Sequence, residues 1–432
     1  MTGHTMHNGG NEAASRPATT GRSAIPAGRD LMFTAADLAP TKQLPCYGAP
    51  LSELTGRYRA RNPILIRALT ALDFLGSLHP RRTAALPVDR PLRLLIANWA
   101  HLGDVVAILP LLQYLASHPR VASLGVLVGS WSKCIVSELP FLDQVHYLDH
   151  FMLDRTAGNR VEKALHYFLR QREVVSEIRG AGYDASIDLF GVFPPTHRLL
   201  WKAGIPTRIG YACTGLGTYL TDPFEWPTED QYILTKQLRL LEPIFGADAP
   251  KAFPAAYPGF LPSGPPRHGL TRDRRYILMH IGVGDFRAWP QENWLELGRA
   301  LQARGMDLVF TGAKGVETEL ASQIARKLSA QCVAGALSWN EFVTSVFNAS
   351  AVISVDTVTG HLAACFDVPS VILLSGRWGR NFFRPNSSNA ATLTYPVGCA
   401  PCYRSMGCAA MACVKQISVS DVLAALEQFD RR

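Results

Sequence analysis

The stretch "AVISVDTVTGHLAACFDVPSVILL", residues 351–374, decides the fold. Its two unbroken apolar runs, 351–355 and 370–374, read as strands buried on both faces, the pattern of a parallel sheet. A short helix fits between them. Asp356, Thr357, Thr359 and His361 fall where the first strand hands over to that helix. Polar groups in such a place cost stability unless something uses them.

The same alternation runs outward in both directions. Upstream, "LRLLIANWA" is a strand, "HLGD" a polar turn and "VVAILPLLQYLASHP" a helical pattern. "SLGVLVGS", "VHYLD", "DASIDLF" and "RIGYA" are further strands, separated by a charged helix over 160–180 and by "THRLLWKAG". A second series begins at "YILMHIG" and continues through helix "ENWLELGRALQAR", strand "DLVFTG" and helix "ETELASQIARKLS". Helix "WNEFVTSVFNA", the opening stretch and a last helix "SVSDVLAALEQF" complete it. Alternating strands and helices predict an α/β protein, with parallel sheets covered on both faces.

Between the series lies "KAFPAAYPGFLPSGPPRHGL", with five prolines and no periodicity. The expected organisation is a disordered tail over 1–30 and a partly helical extension over 31–90. Then come a first Rossmann-like domain over 91–255, a linker over 256–272 and a second Rossmann-like domain over 273–432. Ligands of such sheets bind beyond the carboxyl ends of the strands, so a cleft between the domains is the expected site.

Composition narrows the partners. Apolar content of 47% and charge of 18% in 432 residues suit a globular protein with a substantial core. No apolar run approaches the ~18–20 residues of a membrane span, and the first thirty residues lack the apolar segment of a secretory signal. The expected location is cytoplasmic. A net charge of +8 favours anionic partners: nucleotides, acidic glycans or lipid headgroups. Zinc-finger spacing and basic helical blocks are missing, which argues against nucleic acid.

Three constellations carry candidate chemistry. In "NWAHLGDVVAILP", Gly103 allows a tight turn and Asp104 starts a helix. Asp104 either caps that helix or serves as a general base. In "MHIGVGDFRAWPQENW", Gly282 and Gly284 let backbone N–H groups approach an anion, and Arg287 offers a fork to phosphate oxygens. The competing reading is a glycine-rich connection with a solvated arginine. Neither GxGxxG nor GxxxxGK[ST] occurs, so nicotinamide and P-loop readings fall away. In the opening stretch, Asp356 and Thr357 end a strand and His361 enters the next helix, whose N-terminal N–H groups favour phosphate. Alternatively, Thr359 is merely the N-cap and His361 a satisfied half-buried ring.

These residues carry a resemblance. "LGDVVAILPLL" and "SVDTVTGHLAACFDVPSVILLSG" resemble the two signature regions of glycosyltransferase family 9, the ADP-heptose:lipopolysaccharide heptosyltransferases. "RAWPQENW" is similar to the family's Lys-x-Trp-Pro loop, and "AGIPTRIGY" to a segment of its first domain. The resemblance covers roughly residues 90 to 430. It implies a GT-B fold and inverting transfer of heptose from ADP-heptose to a lipopolysaccharide-core or other surface-glycan acceptor. The enzyme would be cytoplasmic and peripheral on the inner membrane, meeting an anionic glycolipid there. It implies Asp104 as the base and Gly103, Gly282, Gly284, Arg287, Asp356, Thr357, Val358 and His361 as donor-binding positions. Leu337 would meet the adenine through its backbone and Glu317 the ribose.

Two departures bear on the donor. Val358 stands where the family has Gly, and a β-branched residue restricts the backbone. Arg287 replaces Lys, keeping the charge and changing its shape. Another nucleotide sugar, or a non-catalytic sugar-nucleotide scaffold, is the alternative. No Asp-x-Asp is evident near the site, so catalysis is expected to need no cofactor, with Arg287, Arg377 and a helix N-terminus meeting the leaving diphosphate. From Asp367 to Asp421 no acidic residue intervenes, while Arg377, Arg380, Arg384, Arg404 and Lys415 occur. Finally, Cys399, Cys402, Cys408 and Cys413 of "CAPCYRSMGCAAMAC" suit a structural zinc or iron site, with disulfides or thiols as rival readings.

Overall fold

The computed structural model describes Tyr58 and residues 63–79, 85–137, 139–154, 158–191, 194–226, 232–252, 267–282, 287–378, 383–402 and 407–430. The expected tail, most of the extension before residue 63, the linker up to residue 266 and Gly284 lie outside these. The chain divides into Met1–Asp30 and Leu31–Arg432, and both sheets belong to the second unit.

Strands β1 (Leu92–Ala97), β2 (Val121–Val128), β3 (Gln144–Tyr147), β4 (Ala185–Asp188), β5 (Thr207–Tyr211) and β6 (Asp222–Phe224) form one parallel sheet, ordered β3-β2-β1-β4-β5-β6. Strands β7 (Tyr276–His280), β8 (Asp307–Thr311), β9 (Gln331–Cys332), β10 (Ala351–Val355), β11 (Ser370–Leu373) and β12 (Ala390–Leu393) form a second. Its order, β9-β8-β7-β10-β11-β12, repeats the first. Each half is therefore doubly wound, with the strand order reversing between its first and fourth strands.

Helix α1 (Pro63–Ser77) precedes the first sheet. α2 (Leu102–Ala107) and α3 (Leu109–Ser117) follow β1, α4 (Lys133–Val136) follows β2, and α5 (Arg160–Ala181) follows β3. After β4 comes α6 (His197–Lys202), and after β6 come α7 (Ile233–Arg239) and α8 (Glu242–Phe245). In the second half, α9 (Gln291–Ala303), α10 (Val316–Lys327), α11 (Trp339–Asn348) and α12 (Val358–Cys365) follow β7, β8, β9 and β10 in turn. α13 (Ala412–Lys415) and α14 (Val419–Asp430) close the chain. The single helix expected over "VVAILPLLQYLASHP" is broken at Ile108, because Pro110 has no N–H to give the preceding turn.

Three hydrophobic clusters hold the layers. One belongs to the outer face of the first sheet, around Leu95, Ala97, Ile178 and Leu200. Another belongs to the second half, around Met279, Phe310, Ile353 and Val371. The third crosses between the halves: Ile96, Val105 and Val106 join Leu278, Leu362 and Cys365. Contact of α2 with α12 makes this crossing, and Cys365 Sγ lies 3.9 Å from the Val106 carbonyl oxygen.

α1 docks on the connection after β5. Leu69, Asp73 and Gly76 are buried there, and a Cβ at Gly76 would stand 2.3 Å from Thr218 Oγ1. Among the described residues, no helix is long and apolar enough to cross a membrane.

Candidate functional site

The carboxyl edges of the two sheets meet at α2 and α12. β1 is followed by residues 98–100, and His101 caps α2 with Asp104 at its third position. Asp104 Oδ2 accepts the His101 backbone N–H at 3.2 Å, so the capping role exists and fixes the carboxylate's orientation. The side chain remains half-buried rather than sealed in the core. Gly103 serves close approach: a Cβ there would stand 3.0 Å from His361 Cδ2 and 3.5 Å from Val358 Cα. Helices from opposite halves thus touch through the residues that the sequence singled out.

On the other side, β10 ends at Val355, and Asp356–Thr357 lead into α12. Thr357, not Thr359, is the N-cap, and its side chain makes no cap bond. Its hydroxyl instead joins Ser354 Oγ at 3.0 Å and Thr359 Oγ1 at 3.2 Å. A side chain engaged this way leaves the first-turn N–H groups of α12 to other acceptors. Val358 is the first residue of α12, in a helical backbone open to any L-residue. The restriction expected from replacing Gly at 358 does not arise.

Gly282, after β7, does need to be glycine. Its φ is +73°, and a Cβ would meet Val355 Cγ2 at 2.2 Å. Arg287 donates from a guanidinium nitrogen to the Asp356 carbonyl oxygen at 3.1 Å, which sets the cation beside the entrance to α12. Burial pushes the His361 imidazole below its ordinary value, while Asp356 pulls it upward; the net result is downward. A neutral ring can donate one hydrogen bond without carrying charge.

Glu317 and Leu337 lie along the same edge, by β8 and β9. Glu317 Oε2 accepts the Ala313 N–H at 2.7 Å and approaches His280 Nε2 to 3.9 Å. Burial pushes His280 down to about 4, so the ring is neutral near pH 7 and this approach is not an ion pair. His280 Nδ1 pairs with Thr311 Oγ1 at 3.0 Å, and its ring centroid lies 5.8 Å from Phe342. Leu337 packs on the core just before Ser338, the N-cap of α11. Arg377 is buried after β11 and donates to Ser375 Oγ at 3.3 Å.

Sequence reasoning passed over several neighbours. His280 ends an apolar strand at its carboxyl edge, a signal that was available. Trp131 follows β2, donates from Nε1 to the Ala100 carbonyl oxygen at 2.9 Å and lies 6.2 Å, ring to ring, from His101. Nothing local to "GSW" marks it. Arg384 stacks on Tyr232 at 5.0 Å, a contact between the halves that no spacing reveals.

The cysteine cluster is separate. Cys413, in α13, is buried, and burial pushes its thiol up, aided by Cys402, Cys408 and Cys399 nearby. Cys408 Sγ accepts the Met411 N–H at 3.3 Å. Among the described residues, no three His, Cys, Asp or Glu side chains converge as a metal site. The expected structural zinc or iron finds no ligand set here.

Comparison with known proteins places this architecture. Over 128 residues the chain is 29% identical to lipopolysaccharide heptosyltransferase 1 of Pseudomonas aeruginosa, covering 30% of this chain and 36% of that protein. It is 28% identical over 112 residues to lipopolysaccharide heptosyltransferase 1 of Escherichia coli K12, covering 24% and 35%. The matches thus span about a third of these relatives' length. Among solved structures, a glycosyl transferase family 9 protein from Veillonella parvula superposes with a TM-score of 0.62 at 18% identity, covering 80% of this chain and 98% of that one. E. coli heptosyltransferase WaaC with ADP-2-deoxy-2-fluoro heptose gives 0.59 at 18% identity, covering 78% and 100%. Likeness at such low identity establishes the fold, the two facing parallel-sheet domains of GT-B proteins. The family model for glycosyltransferase family 9 (heptosyltransferase) matches residues 171–411, more than half of the sequence, and the chain belongs to that family.

Proposed function

We propose that this protein is an inverting heptosyltransferase, moving heptose from ADP-heptose to a hydroxyl of a lipopolysaccharide-core or related surface-glycan acceptor. The observation that carries the reading is the contact of Gly103 with His361. It sets a carboxylate from one switch point beside an anion-binding helix start from the other.

In this reading Asp104 takes the acceptor hydroxyl's proton as that oxygen attacks the anomeric carbon. The bond from that carbon to the diphosphate breaks, and ADP leaves with the electron pair. Charge growing on the leaving oxygen meets Arg287, the N–H groups opening α12, the Thr357 hydroxyl and a hydrogen bond from neutral His361. Glu317 and the Leu337 backbone receive the ribose and adenine, along the edge where His280 and Phe342 form an apolar wall. Gly282 admits the backbone close to the diphosphate. The helical Val358 gives no reason to change the donor, which favours ADP-heptose over other sugar nucleotides. The basic stretch between Asp367 and Asp421 suits an acidic acceptor.

The test is calorimetric titration with ADP-heptose, ADP, UDP and GDP, with and without magnesium, followed by transfer assays on heptose-deficient lipopolysaccharide. Adenine ligands should bind preferentially, equally well with magnesium and with a chelator. Preference for UDP or GDP would remove the ADP-heptose assignment.

A further inference from the structure

One aromatic ring beside Asp104 takes no part in the proposed proton transfer. Trp131 follows β2 in the turn "GSW", and β2 is the neighbour of β1 in the sheet. Its indole Nε1–H donates to the carbonyl oxygen of Ala100, the residue before His101. The two rings, of Trp131 and His101, lie 6.2 Å apart, and the His101 backbone N–H holds the Asp104 carboxylate. A single residue thus separates the indole from the proposed base.

Gly129 makes room for this ring. A Cβ there would stand 2.2 Å from both Cε2 and Cζ2 of Trp131, although the backbone at 129 is extended and open to any residue. The glycine serves space, not conformation. Ser130 gives its N–H and its hydroxyl to the two oxygens of Asp149, each at 2.6 Å. Ser132 N–H bonds back to the Gly129 carbonyl at 3.0 Å. Asp149 lies just past β3 and Ala100 just past β1, so the turn is tied to the chain beyond both neighbouring strands. A ring held this way costs little further ordering when a ligand meets it.

A tryptophan serving only as a prop would be sealed, as Trp99 is at 1% exposure. Trp131 is half-buried instead, and so are His101, Gly103 and Asp104. Two buried polar atoms at the same edge, Asn98 Nδ2 and Ser132 Oγ, have no hydrogen-bond partner among the described residues. Packing alone gives no reason to carry that cost. A part-open aromatic in a rigid turn beside a reactive carboxylate is the makings of a ligand subsite.

The surroundings define what the ring can take. Two carboxylates are bonded around it, Asp104 through His101 and Asp149 through Ser130, and they disfavour an anionic group over the indole. A sugar ring is uncharged across its C–H face and polar along its rim. It can lay that face on an indole and still turn a hydroxyl toward a carboxylate. We infer that Trp131 is the platform on which the acceptor sugar rests, setting its attacking hydroxyl beside Asp104. This inference rests on the proposed heptosyl transfer and adds to it the side chain that orients the acceptor.

The experiment compares the parent with Trp131→Leu and Trp131→Phe, using deacylated, heptose-deficient lipopolysaccharide as acceptor. Both variants lose the Nε1 bond to Ala100, so the difference between them isolates the aromatic ring. Trp131→Leu should raise the acceptor KM about tenfold, with kcat and ADP-heptose affinity nearly unchanged. Trp131→Phe should recover most of that loss. Titrating the acceptor should also change the parent's tryptophan fluorescence, and the change should vanish in Trp131→Phe. An unchanged acceptor KM in the leucine variant overturns the inference, as does a phenylalanine variant no better than leucine. A fall of kcat, donor affinity and melting temperature together in the leucine variant also overturns it, because Trp131 is then a strut for the loop. A parent that transfers no heptose removes the proposed reaction instead. In that case a Trp131-dependent fluorescence change with the glycan upholds the platform, and its absence overturns the platform too.

Discussion

The two sheets share one strand order, yet their switch points carry opposite sets of side chains. At the first, β1 leads into a helix whose third residue is a carboxylate, Asp104, tied to its own N-cap. At the second, β10 leads into a helix with no carboxylate in its first turn, a hydroxyl N-cap turned to other hydroxyls, and Arg287 bonded at its threshold. In the proposed reaction, the first end accepts a proton and the second holds an anion. The topology provides the two crevices, and a few side chains decide what each does.

The comparison can be broken most sharply at Asp104. Asp104→Asn should lower transfer kcat about 10²–10⁴-fold, the range of a lost general base, while ADP-heptose affinity in calorimetry changes little. An unchanged rate would assign the carboxylate to capping alone.

A second prediction asks whether the halves respond alike to acid. Burial pushes His150 in the first half and His280 in the second down to about 4. Both contributions are fully present above the unfolded value near 6.5. Below it the unfolded chain binds protons that the folded rings refuse, so stability falls until about pH 4. From pH 7 to 5 each ring should remove roughly 2 kcal/mol, measured as a drop in the urea midpoint. His280→Asn should shed its part of that slope and leave the share of His150.

On the anion-holding side, Arg287→Ala should weaken ADP-heptose binding about 10–100-fold, as for a lost charged hydrogen bond. Arg287→Lys should restore most of it. Undiminished affinity in the alanine variant would reduce Arg287 to a strut on the Asp356 carbonyl.

The smallest effect is expected where the two ends touch. Gly103→Ala adds a methyl 3.0 Å from His361 Cδ2, so a shift of a few tenths of an ångström accommodates it at about 1 kcal/mol of stability. Transfer should suffer more than the melt does. Equal losses in both would make the contact purely structural.

Much of this architecture was legible. Long apolar strands such as "LRLLIA" and "AVISV" announce parallel pairing, because burial on both faces leaves no alternation to read. Asp104, Arg287, Asp356, Thr357 and His361 were legible as polar interruptions at strand ends, and the structure brings them to one edge. Edge strands were harder. β6 is three residues with Pro223 in the middle, β9 is two residues and β12 is "AATL"; each is defined by its neighbour rather than by its own pattern. α1 was legible as a helix, but which side it buries depends on Thr218 and Gly215, far along the chain. The cysteine spacing brings Cys399, Cys402 and Cys408 near Cys413, though among the described residues no three metal-binding side chains converge.

The α2–α12 contact has a mechanical consequence. It carries the continuous core between the halves, so it acts as a fulcrum for any turning of one domain against the other. Atoms near a fulcrum travel little while those on the far rims sweep widely. For the proposed reaction, such turning would move an acceptor held at the rims while Asp104 and the start of α12 keep their spacing.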